Sequence, residues 1–374
     1  MKLFRLDSGI LLAILFLVGF GLIQVYSSSY IFATEVYGDG LFFFRKQLIF
    51  ATAALAVLIT VALLPWKLNE RIGWIAFYVA IGGILATFIP HIGVKVGGAH
   101  RWINFGWGFR FEPAELLRVS YPIAIASLLA DFAKNKVDGA WWKKTLMLSL
   151  PLLFLLKQPD FGSFVICVAL FYLMLFAFGL SWKMVFASVI TSLPALVILM
   201  LAAPYRVARF QAFLNPWSDP GEKGFQVIQS LLSFYSGGLT GVGPGLGQGK
   251  LFFLPEAHTD FTLAVLGEEW GFLGFALILL VYGFLVFRGF QIALVSSQYK
   301  ERAVSLGLSL ILSFSVLINV AVTLGLLPTK GLTLPLLSYG GSSLFCTALA
   351  LGWLLSLERH VHDPANYVRQ ETES

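Results

Sequence analysis

Ionisable side chains are scarce in this sequence, and the informative ones stand at the edges of long apolar runs. Asp260 ends the stretch Pro255-Glu256-Ala257-His258-Thr259-Asp260, where a polar segment turns into an apolar one. A carboxylate at a helix start meets free N–H groups and the positive end of the helix dipole, which keep it ionised. Such a group has two readings. It is an ordinary helix cap, or, beside a cavity, a general base that takes a proton from a hydroxyl. His258 raises the question of a metal, but no second nitrogen ligand lies at helical spacing, so a catalytic zinc is not expected.

Other charged residues repeat the pattern. Glu115 and Arg118 are three apart, share a helix face and can neutralise one another. Asp160 sits in the break Lys157-Gln158-Pro159-Asp160-Phe161-Gly162, and Glu268 and Glu269 follow Asp260 on one run. Adjacent residues on a helix point in different directions, so at most one of these glutamates is expected to face an Asp260 cavity. Charges inside a bilayer are costly and are either paired or functional. The basic residues Arg101, Arg110, Arg206, Arg209, Lys250 and Lys330 read as solvated loop charges. Should several converge near one carboxylate, they would suit a pyrophosphate, because guanidinium forks match phosphate oxygens. The glycine run from Gly241 to Gly249 fits neither a dinucleotide fingerprint nor a P-loop: Pro244 stands where the P-loop needs its first Gly, and Leu251 follows Lys250. It reads as a flexible loop whose backbone can approach a ligand.

The elements that must position these groups follow from composition. Apolar residues make up 58% of the chain and charged residues 12%, roughly half the charge share of a soluble globular protein. Lipid is therefore the solvent for much of the surface. Cys167 and Cys346 lie inside apolar runs and read as small core residues. A helix needs about 20 apolar residues to cross the hydrocarbon core. That length predicts spans near 9–29, 42–64, 72–90, 113–131, 142–157, 161–180, 183–203, 260–287, 303–327 and 334–357. The expectation is an all-α polytopic membrane protein of about ten transmembrane helices, forming a single membrane domain over residues 1–374. Pro159 and Gly162 punctuate the fifth and sixth spans. The first run, Gly9 to Val25, follows Lys2 and Arg5 but lacks a small-x-small cleavage site, so it reads as an uncleaved span, with a removed signal peptide as the alternative. Lys134, Lys136, Lys143, Lys144, Lys300 and Arg302 fall inside when the N-terminus is inside, which predicts that both termini are cytoplasmic. Segments 91–112 and 204–259 then lie outside. The second, between the seventh and eighth spans, is long enough to hold short helices, and Gly224–Ser236 mixes apolar and polar residues as an interfacial helix does.

Five stretches carry a family resemblance: Gly98-Ala-His-Arg-Trp-Ile103, Glu112-Pro-Ala-Glu-Leu116, Gln158-Pro-Asp-Phe-Gly162, Leu254-Pro-Glu-Ala-His-Thr-Asp-Phe261 and Ser338-Tyr-Gly-Gly-Ser-Ser343. In this order, on this many spans, the chain resembles the SEDS family of peptidoglycan glycosyltransferases. Asn215-Pro-Trp-Ser-Asp-Pro220 and Leu327-Pro-Thr-Lys-Gly-Leu-Thr-Leu-Pro335 are more similar to its division-associated branch than to its elongation-associated branch. Arg118 stands where the family usually has Lys, and Glu112 where Gln is common. Charge is kept at Arg118, but not the single-point geometry of an ammonium.

The resemblance implies an inverting enzyme that joins lipid II units into glycan strands at the outer face of the cytoplasmic (inner) membrane, at the division septum. An acceptor sugar hydroxyl attacks the anomeric carbon of the growing strand, and undecaprenyl pyrophosphate departs. Asp260 matches the family's base position. Arg101, Glu115, Arg118, Asp160, Lys250, His258, Lys330, Ser338 and Ser342 are the implied substrate contacts. Pyrophosphate leaves without help from an acid, so one carboxylate plus cations suffices, unlike the paired carboxylates of most glycoside hydrolases. Those cations are side chains or a divalent ion, Mg2+ or Mn2+. The implied partners are the lipid bilayer, an undecaprenyl-linked glycan strand, a class B penicillin-binding transpeptidase and other divisome membrane proteins, with no nucleic acid. Rival readings are the elongation-type polymerase, a lipid II flippase and a non-catalytic division scaffold. A flippase needs a polar path reaching both faces, whereas the charged cluster here is expected mainly at the outer one.

Overall fold

The computed structural model describes residues 6–96, 99–106, 109–133, 140–179, 181–201, 204–221, 224–329 and 331–362. Lys134, Lys136 and Lys330 lie outside the described residues, as does the side chain of Arg206. The long apolar runs are helical: α1 (Ser8–Tyr37), α2 (Phe42–Leu63), α3 (Trp66–Ala86), α4 (Pro113–Ala133), α5 (Ala140–Lys157), α6 (Phe161–Ala177) and α7 (Trp182–Leu201). Two shorter helices follow, α8 (Pro204–Leu214) and α9 (Phe225–Gly237), and then α10 (Thr262–Val295), α11 (Tyr299–Thr323) and α12 (Gly341–Val361). Among the described residues, α1, α2, α10, α11 and α12 are long and apolar enough to cross a membrane. Their apolar residues point both ways. Ile14, Leu17 and Leu58 are fully buried, while Leu12, Ile49 and Leu280 are about two-thirds exposed. A helix apolar all round needs lipid on its outer side, and the chain is a multi-pass membrane protein.

Charges tie the helix ends on one face. The Asp7 amide, just before α1, donates to Glu358 Oε2 on α12 at 3.2 Å. Arg288 on α10 pairs with Asp7 and stands 3.7 Å from Glu358. His360 meets Glu301 at 3.1 Å, and Lys300 pairs with Glu70. The two described ends of the chain therefore share a face. The opposite face carries the candidate site.

On that opposite face, the 91–112 segment holds a small antiparallel sheet in the order β1 (Gly93–Val96), β2 (Ala99–Asn104), β3 (Arg110–Phe111). Val94 pairs with Trp102, and Asn104 with Arg110. Strands of two to six residues are too short to show a period against the surrounding apolar background.

The final span also differs from expectation. It begins at Gly341 rather than 334, because Pro335 and the Gly340-Gly341 pair interrupt it. Leu332, Leu334, Leu336 and Leu337 are nevertheless buried. The segment is non-helical backbone packed inside protein, which membranes allow only where its polar groups find partners. The Leu334 amide donates to Ser338 Oγ at 3.0 Å, and Gln47 Nε2 on α2 donates to the Ser338 carbonyl at 3.1 Å.

A break in α10 explains the glycine run. Gly271 has φ 65° and ψ −167°, which interrupts the helical hydrogen bonding. The 238–243 backbone closes the gap: Val242 and Gly243 amides donate to the Glu268 and Glu269 carbonyls at 3.0 and 3.1 Å, and Phe272 and Leu273 amides donate to Gly238 and Leu239 at 2.9 and 3.1 Å. A Cβ on Gly241, which has φ +83°, would sit 2.2 Å from the Glu269 carbonyl oxygen. The glycines let a loop pack onto a broken helix.

Candidate functional site

Asp260 closes the turn that leads into α10. The cap position of that helix falls on Phe261, which makes no side-chain capping hydrogen bond. That position lies one residue beyond Asp260. Asp160 is the residue that caps: it precedes α6, and its Oδ1 accepts from the Ser163 amide at 3.2 Å. The Asp260 turn is held by backbone, with the Thr259 and Phe261 amides donating to the Glu256 carbonyl at 3.1 and 3.2 Å. Glu256 itself takes a left-handed φ of 57°. The half-buried carboxylate faces the 331–335 segment, where a Cβ on Gly331 would lie 3.0 Å from Asp260 Oδ2. Gly331→Ala is accordingly expected to crowd that carboxylate and lower turnover about tenfold, since small displacements at a reacting group are costly. Steady-state kinetics beside a thermal melt would check this, and turnover equal to wild type would contradict it.

Thr333 and Pro335 of the same segment line a pocket between α4, α11 and α12. Glu115, Arg118, Ser315, Thr333, Ser343 and Thr347 supply its polar lining, and Leu308 and Leu351 part of the apolar wall. Arg118 and Glu115 form the anticipated ion pair, with Arg118 only 4% exposed. Glu112, just before α4, is pushed up to about 8 by burial and by the Glu115 and Asp160 charges, against the pull of Arg118 and Arg101. At neutral pH it is mostly protonated and can donate a hydrogen bond. Its amide donates to Ser342 Oγ at 3.1 Å, and that hydroxyl donates to the Arg110 carbonyl at 3.3 Å. Arg101 on β2 donates to the Pro159 carbonyl, tying the sheet to the α5–α6 break. Arg101, Glu112, Glu115, Arg118 and Asp160 thus form one interacting charge cluster.

The remaining expected contacts have protein partners. Lys250, in a π-type turn at Gly249–Phe253, donates to Glu269 Oε1 at 2.6 Å and to Ser27 Oγ at 3.0 Å. Glu268 accepts from the Gln248 and Gly249 amides at 2.7 and 3.0 Å. Both glutamates hold the glycine-rich loop, and a Cβ on Gly247 would lie 3.1 Å from Glu268 Oε2 and from Glu269 Cγ. His258 is enclosed by Phe32, Phe43 and Tyr339, with ring centroids 5.7, 4.6 and 5.8 Å away. Burial lowers its pKa, disfavouring the charged imidazolium, against an opposing effect of Glu256. Ser338 braces its own turn, as described above. Sequence reasoning missed Gly331, Thr333 and Asn319. Asn319 did carry a signal, as a polar residue deep in an apolar run, and Gly331 and Thr333 lie in the 327–335 stretch, which drew notice only for its branch resemblance.

Apolar helices crossing a bilayer, with a half-buried carboxylate and a buried charge cluster at the helix ends, define a multi-pass membrane protein whose ionisable groups gather away from its lipid-facing sides. Residues 8–363 match the model of a cell cycle protein family, that of FtsW, RodA and SpoVE, and the chain belongs to this family. A probable peptidoglycan glycosyltransferase FtsW from Geobacter sulfurreducens is 38% identical over 94% of this chain and 95% of its own. One of the same name from Hahella chejuensis is 38% identical over 94% and 90%. Among solved structures, a chain from a peptidoglycan synthase complex that coordinates polymerisation and crosslinking superposes with a TM-score of 0.76 at 27% identity, covering 96% of this chain and 99% of that one. The rod shape determining protein RodA of Thermus thermophilus gives 0.68 at 26% identity, with coverage of 96% and 99%.

Proposed function

We propose that the protein is a peptidoglycan glycosyltransferase that polymerises lipid II at the outer face of the cytoplasmic membrane during septal wall synthesis. The observation that carries this reading is the carboxylate of Asp260, which lies before the cap of α10 and against Gly331, in a segment whose Thr333 and Pro335 line the Glu115–Arg118 pocket. Asp260 takes the proton of the acceptor sugar hydroxyl as that oxygen attacks the anomeric carbon. The bond to undecaprenyl pyrophosphate breaks, with inversion, and the leaving group carries away its own charge. Arg101 and Arg118, with Lys330, are assigned to offset that charge, and Glu115 and Asp160 to orient the cations. Lys250, His258, Ser338 and Ser342 are assigned to the walls, because their hydrogen bonds and ring contacts are to protein groups. The curated FtsW relatives support the division branch, hence the septum, over the elongation branch.

Among the described residues no group of three or more His, Cys, Asp and Glu is placed to hold a metal ion. We assign any Mg2+ or Mn2+ to the substrate's pyrophosphate, so chelation by EDTA is expected to slow polymerisation reversibly, with a metal requirement that shifts with lipid II concentration. A requirement independent of lipid II would contradict this.

The likeness to a chain of a complex for polymerisation and crosslinking supports a class B transpeptidase as partner. Purified protein in liposomes containing lipid II is expected to build glycan strands, faster with that partner present. Absence of polymer under both conditions would overturn the assignment.

A further inference from the structure

Asn319 lies on α11 and is only 2% exposed. Its Nδ2 donates to the carbonyl of Asp260 at 3.0 Å and to the carbonyl of Leu332 at 2.6 Å. A side-chain amide carries two hydrogens, so both donors are engaged, and both acceptors are main chain. These two carbonyls belong to the segments that fix the Asp260 carboxylate. One is the peptide of Asp260 itself, and the other follows Gly331, which stands against Asp260 Oδ2. Neither segment is regular helix or strand, so no ladder of hydrogen bonds holds them in register. Asn319 Oδ1 has no hydrogen-bond partner among the described residues. A buried acceptor without a donor is unfavourable, and a leucine would fill the same space without that cost.

We propose that Asn319 is a positioning residue for glycan polymerisation, clamping the turn that carries Asp260 to the 331–333 segment so that the carboxylate sits at a fixed distance from the incoming hydroxyl. This rests on the reading of Asp260 as general base. A base that must meet one proton gains nothing from being near it in many orientations, and a misplacement of about 1 Å can cost ~10²-fold in rate. Thr323 and Ser230 brace the same end of α11: Thr323 Oγ1 donates to the Asn319 carbonyl at 3.0 Å, and Ser230 Oγ on α9 donates to the Thr323 carbonyl at 2.6 Å. The amide is thereby held from behind.

The test compares Asn319→Leu, Asn319→Asp and Asp260→Asn as purified full-length protein with lipid II. Asn319→Leu removes both donors at similar size, and Asn319→Asp keeps the shape but offers its carboxylate to two carbonyls. Both are expected to lower kcat roughly 10- to 100-fold per folded molecule with KM for lipid II within about twofold, because geometry at the reacting group is lost while binding surfaces remain. A merely structural asparagine would instead lower the melting temperature and the folded fraction, leaving kcat per folded molecule unchanged. Wild-type kcat in either folded Asn319 variant, beside an inactive Asp260→Asn, overturns the positioning role alone. Wild-type kcat in Asp260→Asn overturns the base assignment beneath it. If Asn319→Leu does not fold, Asn319→Asp decides.

Discussion

Asp260→Asn is expected to lower lipid II polymerisation by about 10²–10⁴ while leaving the protein folded and membrane-inserted. That loss corresponds to ~2.7–5.5 kcal/mol of barrier, the contribution of one well-placed base. The carboxamide keeps the size of the carboxylate, so the approach to Gly331 is preserved. It cannot accept the hydroxyl proton. Folding should be unaffected for a local reason: the turn is fastened through backbone groups, by the Glu256 carbonyl and by Asn319, rather than through the Asp260 side chain alone. Glycan length on gels and a thermal melt of the same sample separate the two effects. A variant that loses both folding and activity would make Asp260 a structural residue.

Arg118→Met is expected to be the most destabilising single change in the pocket. Arg118 is buried beside Glu115 and acts on Glu112 and Asp160, so removing it strands the Glu115 carboxylate and leaves Arg101 as the cation of the cluster. Breaking one side of a buried ion pair costs on the order of 3–5 kcal/mol, most of it the penalty of the stranded partner. The double change Glu115→Gln with Arg118→Met removes that stranded charge, and most of the lost stability should return. Polymerisation should not return with it, since the cation assigned to the leaving pyrophosphate is gone. Melting of the three variants in one detergent checks the stability half. A single variant as stable as wild type would show that the pair is not holding α4 in place.

Much of the fold was legible because crossing a bilayer demands a length and a composition that few other structures share. The pause at Lys157–Gly162 showed where α5 stops and α6 starts, and the helix Phe225–Gly237 was visible in the mixture of apolar residues with Gln226, Gln229 and Ser233. The same signal misled at 334–340. A chain buried in protein at membrane depth is as apolar as one facing lipid, so Leu334, Leu336 and Leu337 read as the start of a span. The glycine run misled differently. Its freedom serves the approach to the break at Gly271, a partner some thirty residues away in sequence that no local pattern announces. Within the site, the Glu115–Arg118 pair followed from helical spacing. Lys250 could not be placed in this way, because its partners Glu269 and Ser27 come from other elements. Asp260 was legible as a position, but that the cap of α10 falls one residue later, on Phe261, needed the helix start to be seen.

Polymerase and flippase remain distinguishable in a single preparation. Proteoliposomes carrying fluorescent lipid II in both leaflets, with wild type or Asp260→Asn, report polymer by gel and translocation by protection from an external quencher. The expected result is polymer with wild type, none with Asp260→Asn, and no protein-dependent translocation by either. Translocation by both proteins with polymer from neither would contradict the assignment of Asp260 as the base of a lipid-fed glycosyltransferase.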